Sequence, residues 1–304
     1  MRFFIVFCLF IACQTLTISA GAQEFDITEI ATAQAAYDED PTDAHRETLL
    51  DALARYRGEA TVETVNAHLV VMANDSITGE PATLRESAHA AAMHLAPVAE
   101  IVPRQYVDSG FVAAVALFNS RQDPSAMTEM AAVEGFARHH RATDGTRPDW
   151  ATDLQWKSTA WRLAMEAYLK RVDEDHPSDR ELDAIVDSYD DPGQPAASAS
   201  QAVSDENALP RCPGRMRQTP KLKYPSGRTQ RGVVGAVILE FEFDPDGNVI
   251  NPKVLASVPE NEFDEKSLRV VTQWSFRPQK RRDVGVKCRL ERTDVVQPLI
   301  FFLD

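Results

Sequence analysis

The sequence predicts an α+β protein: an all-helical domain of hairpin-like, repeat-like helices, followed by an antiparallel sheet with one helix. Apolar residues recur at helical spacing between Asp26 and Tyr189, whereas they alternate in strand fashion within 235–258. The net charge also differs between the two parts of the chain. Residues 210–304 carry 17 Lys and Arg against 12 Asp and Glu, a net of +5, and residues 1–209 carry the remaining 15 against 34, a net of −19. Two domains with different surfaces explain this division.

Composition limits the class of protein. The chain has 304 residues, 44% hydrophobic and 26% charged, which is typical of globular domains and long enough for two of them. Its formal charge of −14 argues against nucleic-acid binding, which requires a basic surface to displace counterions. We therefore expect no nucleic-acid partner.

The first 22 residues have the pattern of an export signal. Met1-Arg2 is followed by an apolar run from Phe3 to Cys13, and Ser19–Ala22 supplies small residues for cleavage after Ala22. This predicts a signal peptide at residues 1–22. Two alternatives stay open: an uncleaved membrane anchor, because residues 3–22 approach the ~20 residues of a membrane span, and lipid attachment at Cys13.

Residues 23–190 are predicted to form the all-helical domain. Stripes such as Val62, Val65, Leu69 and Met72 recur along it with helix start and stop signals between them. Thr83–Glu86 has the pattern of a capping box, which predicts a helix beginning there. Successive short helices at regular intervals favour antiparallel hairpins.

No catalytic, metal or cofactor site is predicted. His139 and His140 are adjacent, and His89 and His94 are five residues apart, so neither pair has the i, i+4 spacing of helical metal ligands. The sequence has no Gly-rich phosphate loop and no G-x-S-x-G. An enzyme in the helical domain stays an alternative, which a deep pocket with convergent polar groups would favour.

A linker is predicted at residues 191–209. Asp190–Gly193 ends the last helix, and the following stretch is rich in Ala, Ser and Gln without periodicity. Such a composition favours a flexible connector.

Residues 210–304 are predicted to form a β-β-α-β domain. Strands are predicted at Gly235–Phe243 and Val249–Val258, on either side of a turn in which Gly247 is able to take positive φ. Helical spacing follows from Phe263 to Trp274, then a basic loop and a last strand from about Val284 to Leu303. This order predicts an antiparallel sheet with a helix on one face.

Cys212 and Cys288 are the two cysteines that lie beyond the signal. An even number in an exported protein favours one disulfide, with two unpaired thiols as the alternative. A zinc site is not favoured, because the two sulfurs lack C-x-x-C spacing and no histidine follows residue 210.

These residues, over about 210–304, resemble the C-terminal domain of TonB-type energy transducers. The resemblance also includes the Phe241–Val249 hairpin, Ser257-x-Pro259, Phe263-Asp264 and the terminal Ile300–Leu303. The motif positions that carry it are Tyr224, Pro225, Gly232, Gly235, Gly247, Trp274, Phe276 and Pro278.

The resemblance implies a periplasmic module that docks on outer-membrane TonB-dependent transporters. In this family an extended transporter peptide pairs beside the last strand, where backbone groups are free to accept a further strand. The positions implied for partner contact are Val295, Val296, Gln297, Leu299 and Phe301. Two alternatives remain: these side chains fill the core, or a homodimer occupies the edge.

The sequence departs from the family plan in three ways. The apolar run at the N-terminus lacks histidine, the spacer is a helical domain with few prolines, and Arg228 stands where the family commonly has Ala. Three functions therefore compete: a periplasmic TonB-like binding protein that contributes to transmembrane transport, an inner-membrane-anchored energy transducer that couples proton motive force to uptake, and an enzyme.

Overall fold

The computed structural model describes residues 24–56, 58–173, 180–181, 184–185, 211–212, 214–220, 224, 234–278 and 288–301. The predicted signal peptide, the linker at 191–209, Pro225 and Gly232 lie outside these residues. The chain divides into two compact units, Met1–Phe136 and Ala137–Asp304, here called the first and second units.

The elements confirm the predicted α+β class. The helices are α1 Glu24–Glu39, α2 Asp43–Arg55, α3 Val62–Thr78, α4 Pro81–Leu95, α5 Pro103–Arg121, α6 Ser125–His139, α7 Asp149–Asp173 and α8 Asp264–Val271, with a 3-10 turn at Ala96–Val98. The strands are β1 Gly214–Arg217, β2 Gly235–Phe243, β3 Val249–Val258, β4 Ser275–Pro278 and β5 Arg292–Phe301. None of the helices in the described residues is long and apolar enough to cross a membrane.

The first unit is built from helices that pack on their neighbours along the chain, α1 on α2, α3 on α4 and α4 on α5. Where α2, α3 and α4 meet, Arg46 donates to both carboxylate oxygens of Asp75 at 2.8 and 2.9 Å, and to the carbonyl of Thr83 at 3.3 Å. Burial disfavours the charged Arg46, but the hydrogen bonds and charge of Asp75 outweigh it and raise the pKa of Arg46. The ion pair thus holds three helices together.

The capping box predicted at Thr83–Glu86 is wrong. Helix α4 begins at Pro81 and has no side-chain cap, so Thr83 lies inside its first turn. Proline suits this first position because it has no N–H to leave unpaired. The reciprocal cap is found at α3 instead, where Thr61 and Thr64 exchange hydrogen bonds between their side chains and backbone amides at 2.9 and 3.3 Å.

The second unit contains a three-stranded antiparallel sheet in the order β3-β2-β5, and a separate antiparallel ribbon of β1 and β4. The predicted β-β-α-β order holds for β2, β3, α8 and β5. The sequence prediction missed β1 and β4, because strands of four residues are too short to show alternation. The described part of the last strand begins at Arg292 rather than near Val284.

Helices cover both faces of the sheet. On one face α8 encloses an aromatic core made of Phe241, Phe243, Phe263, Trp274, Phe276 and Phe301 with Val237, Leu239 and Leu299. On the other face α7 packs through Trp156, Ala160, Leu163, Ala164 and Ala167 against Ala236, Ile238, Ala256, Val258 and Val296. The alternation predicted for β2 is confirmed, since its odd-numbered residues lie on the α8 face and its even-numbered apolar residues on the α7 face.

Contacts therefore group α7 with the sheet, although the sequence assigned it to the helical domain. The stripe on α7 indicated a buried face but not the surface that buries it. The boundaries predicted at residues 190 and 210 stay a prediction, because most of the chain between them is outside the described residues.

Candidate partner-binding edge

Strands β3 and β5 form the two edges of the sheet, with β2 between them. The two edges differ in regularity. The β2–β3 pairing shifts register twice, between Ile238 and Leu239 and between Glu240 and Glu242. The β2–β5 pairing runs without interruption from Gly235↔Phe301 to Phe241↔Val295, and shifts only beyond Phe241. Strand β5 thus offers the longer regular edge.

The β3 edge carries features that discourage further strands. Asn251 has φ of 52° and is followed by Pro252, so the strand is distorted near its start. Lys253 projects from the same strand and forms an ion pair with Glu240 at 2.7 Å, which raises the pKa of Lys253. Irregularity, proline and lysine are the devices by which natural proteins protect an edge.

The side chains predicted for partner contact divide between the two faces. Leu299 and Phe301 are buried in the core beneath α8, and Val295 packs against that core. Val296 is buried on the opposite face, under α7. Gln297 is half-buried, and its side-chain amide donates to the carbonyl of Pro298 at 3.1 Å. Four of the five side chains therefore serve packing in the core.

Phe301 is held by a specific contact with Phe263, the residue that precedes α8. Its ring stacks on that of Phe263, with centroids 4.2 Å apart and planes 17° from parallel. Gly235 makes this close packing possible, because a Cβ at that position would lie 2.2 Å from the Phe263 ring. The end of β5 is consequently fixed in the sheet.

Other motif residues also have structural roles. Trp274 is 2% exposed and its indole N–H donates to the carbonyl of Pro220 at 3.0 Å. The ring of Tyr224 contacts that of Phe263 edge-on, with ring centroids 5.7 Å apart. Phe276 is buried in the aromatic core, and Pro278 pairs with Gly214 at the end of the β1–β4 ribbon.

The turn between β2 and β3 forms as predicted. Gly247 has φ of 80°, which disfavours any residue with a Cβ. The Asp244 carboxylate accepts from the backbone amides of Asn248 and Asp246 at 2.7 and 2.9 Å. These hydrogen bonds, that from Asn248 foremost, lower the pKa of Asp244 and keep it ionised.

Cys212 and Cys288 form the predicted disulfide. Next to it, the backbone amide of Cys212 donates to the carbonyl of Arg289 at 2.9 Å. Arg292 then donates to the carbonyl of Cys212 at 2.8 Å and lies 4.0 Å over the ring of Phe276. The sequence prediction missed Arg292, since a lone arginine at the start of a strand gives no signal of a cation–π contact.

Comparison with known proteins confirms the resemblance that the motif residues predicted. A family model described as the Gram-negative bacterial TonB protein C-terminal matches residues 220–293. The chain carries a TonB-type C-terminal domain. It is also similar to "Protein TonB" of Vibrio cholerae serotype O1 (strain ATCC 39315 / El Tor Inaba N16961), with 31% identity over 99 residues. That alignment covers 33% of this chain and 40% of the relative, so the chain spans about two fifths of the relative's length.

The TonB-type match and the structural second unit have different bounds. The match begins at residue 220, whereas the contacts group the sheet with α7 from Asp149 onward. Ile185, one of the described residues upstream of the match, is 2% exposed and belongs to the same cluster as α7. The TonB-type sheet therefore has part of its core supplied from outside the matched residues.

Proposed function

We propose that this chain is a TonB-like protein of the bacterial periplasm that binds outer-membrane transporters, or other envelope partners, by strand addition to β5. Through that contact it contributes to transmembrane transport. The observation that carries the proposal is the uninterrupted β5 edge from Val295 to Phe301, which pairs with β2, a strand that lies within the TonB-type match at residues 220–293. An edge strand binds an extended peptide through backbone hydrogen bonds, which demand little of the partner's sequence.

Pro298 supports the orientation of this edge. Proline lacks an N–H and is tolerated in a sheet where its nitrogen faces away from the neighbouring strand. Because Pro298 lies opposite Ile238 in unbroken register, we infer that its nitrogen faces outward. In an antiparallel strand alternate residues share this direction, so the backbone groups of Val296 and Ile300 also face outward. These two residues are the donors available to an added strand.

A proline substitution tests this directly. Val296→Pro removes one outward donor and places a ring in the path of the added strand. We expect affinity for synthetic peptides from the plug domains of TonB-dependent transporters to fall at least about tenfold, measured by fluorescence anisotropy. Hydrogen exchange of the full chain checks that the variant is folded. Unchanged affinity in a folded Val296→Pro protein would contradict strand addition at β5.

A cross-linking experiment covers the case in which Val296→Pro does not fold. Gln297→Cys places a thiol on β5, and Lys253→Cys is the matched control on β3. With a mild thiol oxidant present, peptides with one cysteine should form a mixed disulfide with the β5 variant and not with the β3 variant. Equal cross-linking at both edges would refute the proposal, and a disulfide between two Gln297→Cys chains would indicate that a homodimer occupies the edge.

Residues 1–22 decide between two versions of this function. If they are removed, the protein is a periplasmic binding protein; if they are retained, it is an anchored energy transducer. Mass spectrometry of the protein from bacterial cells distinguishes these: a mature N-terminus at Gln23 supports the first, and an intact chain in the inner-membrane fraction supports the second. Either result leaves strand addition to be tested separately.

The family relationship points to a protein without enzymatic activity. An open cavity of about 600 Å³ in the first unit has acidic and basic residues in its lining, among them Arg85, Glu86, His89 and Glu129. Glu86 within it is engaged by Arg46 at 3.4 Å, in the ion-pair network that joins the helices. No group of three or more metal-binding side chains occurs in the part of the chain that the structure describes.

A further inference from the structure

The β1–β4 ribbon places like charges opposite one another. Its register pairs Arg215 with Arg277, and Arg217 lies two residues further along β1 opposite Ser275. Residues directly opposite in an antiparallel pair have Cβ atoms about 5 Å apart on the same face, and residues i and i+2 of a strand are about 7 Å apart. Three guanidinium groups therefore share one face within a short distance.

The two faces of the ribbon are chemically distinct. Met216 and Phe276, which lie opposite each other, pack into the aromatic core. Arg215, Arg217 and Arg277 are exposed. Because side chains alternate along a strand, the three arginines form the outer face, here called the arginine face. It is held on a rigid support, since β1 begins two residues after the disulfide at Cys212.

The positive charge of this face is not neutralised by the described protein groups. Among the described residues, no carboxylate forms an ion pair with any of the three arginines. Like charges directly opposite in a ladder destabilise it. The neighbourhood adds further positive charge from Arg211, Arg289 and Arg292. The backbones of Arg211 and Arg289 pair in an isolated β-bridge. Burial first, and then the charge of Arg211, lower the pKa of the half-buried Arg292.

We propose that the arginine face binds the surface of a membrane that contains anionic phospholipids, through their phosphate groups. Guanidinium groups are suited to phosphate oxygens because they offer paired donors in a plane. The proposal is independent of strand addition at β5, since it uses other residues and a different ligand.

A membrane surface suits this face better than an acidic protein segment. Protein interfaces depend on a central apolar or aromatic cluster that is desolvated on binding. The outer face of the ribbon consists of Arg215, Arg217, Arg277 and Ser275, with no apolar side chain among them. Attraction of basic residues to an anionic bilayer needs no such burial, and it adds up residue by residue.

The test is sedimentation of residues 23–304, which lack the apolar N-terminal segment, with vesicles. We expect binding to vesicles of phosphatidylglycerol and phosphatidylcholine, little binding to phosphatidylcholine alone, and a loss of binding as salt rises. The triple variant Arg215→Gln, Arg217→Gln, Arg277→Gln should bind on the order of a hundredfold more weakly, since each basic residue near an anionic surface contributes about fivefold. Replacement of the same three by lysine should retain most of the binding.

A matched control removes the same charge elsewhere. Arg104 and Arg121 are exposed residues of α5 and Arg269 is exposed on α8, and their triple glutamine variant should bind vesicles like the wild type. Circular dichroism compares the folding of all variants. The proposal is overturned if the two glutamine variants lose binding equally, if the first loses none, or if the protein binds a soluble polyglutamate peptide at the arginine face and ignores the vesicles.

Discussion

The two units of the chain differ in what they bury. Among the described residues, the buried charged or imidazole side chains are Arg46, His68, Asp75 and Glu134, and all four lie in the first unit. The second unit buries polar residues too, but these are neutral: Gln155, Ser158, Thr159 and Ser267. Its sheet core is aromatic, and the disulfide between Cys212 and Cys288 packs with it. The difference indicates that pH acts mainly on the first unit, and packing and redox state on the second.

The largest expected effect is a loss of packing in the second unit that leaves the first unit unchanged. Trp274→Ala removes the largest buried side chain of the aromatic core and its hydrogen bond to Pro220. We expect it to lower the free energy of unfolding of the second unit by about 3–5 kcal/mol. Hydrogen exchange with mass spectrometry, read separately for residues before and after 136, should show the loss in the second unit.

Ile250→Ala is the matched control for Trp274→Ala. Ile250 lies on β3 and is 37% exposed, so its truncation should change the stability by no more than about 0.5 kcal/mol. If Trp274→Ala accelerated exchange equally in α2 and α3, the two units would not differ in the way proposed.

The next largest effect is expected from the disulfide. Cys212 and Cys288 are separated by 76 residues. Closing a loop of this length stabilises the folded state by roughly 4 kcal/mol in the chain-entropy model. The double variant Cys212→Ser, Cys288→Ser should therefore unfold at lower urea, and a reductant should affect the wild type but not the variant. A transition of the first unit that moved with reductant would contradict this assignment.

The smallest expected effect is on pH dependence. His68 is buried, its Nδ1 has no hydrogen-bond partner among the described residues, and the centroids of its ring and that of His94 lie 4.7 Å apart. Burial first, and then the neighbouring His94, lower the pKa of His68 to about 3. The unfolded chain binds a proton near pH 6.5 whereas the folded chain does not, so stability is present above that pH and is lost as the pH falls.

This predicts a loss of about 2 kcal/mol for the first unit between pH 7.5 and pH 5. Urea denaturation at the two pH values measures it. His68→Gln should remove most of the dependence, although burial also lowers the pKa of His94 and leaves a part of it. His89→Gln, at an exposed position of α4, should leave the dependence as it is. Equal slopes for all three proteins would refute the prediction.

Local patterns in the sequence predicted local structure well. The alternation from Gly235 to Phe243, the Gly247 turn and the pairing of Cys212 with Cys288 are all confirmed. Each depends on residues whose own chemistry limits the backbone or the partner. The importance of the motif residues Trp274 and Phe276 could likewise be predicted, because both side chains fill the core beneath α8.

What could not be predicted depended on choices between distant surfaces. The stripe of Trp156, Ala160 and Leu163 required burial, but several apolar faces of the chain could have supplied it. For β5 the sequence offered both partner contact and core packing as roles for Leu299 and Phe301, and the structure places both side chains in the core. The arginines of β1 appeared in a segment too short for its strand to be recognised.

Coverage of the sheet by α7 bears on how the TonB-type domain is to be isolated. A fragment that starts at residue 220 would lose the helix and expose Ile238, Val258 and Val296 to water. Such a surface invites association between fragments, and a dimer seen under those conditions would reflect the missing helix rather than the protein's own assembly. A fragment that starts at Ala137 keeps this face covered and is the form in which the oligomeric state is best measured.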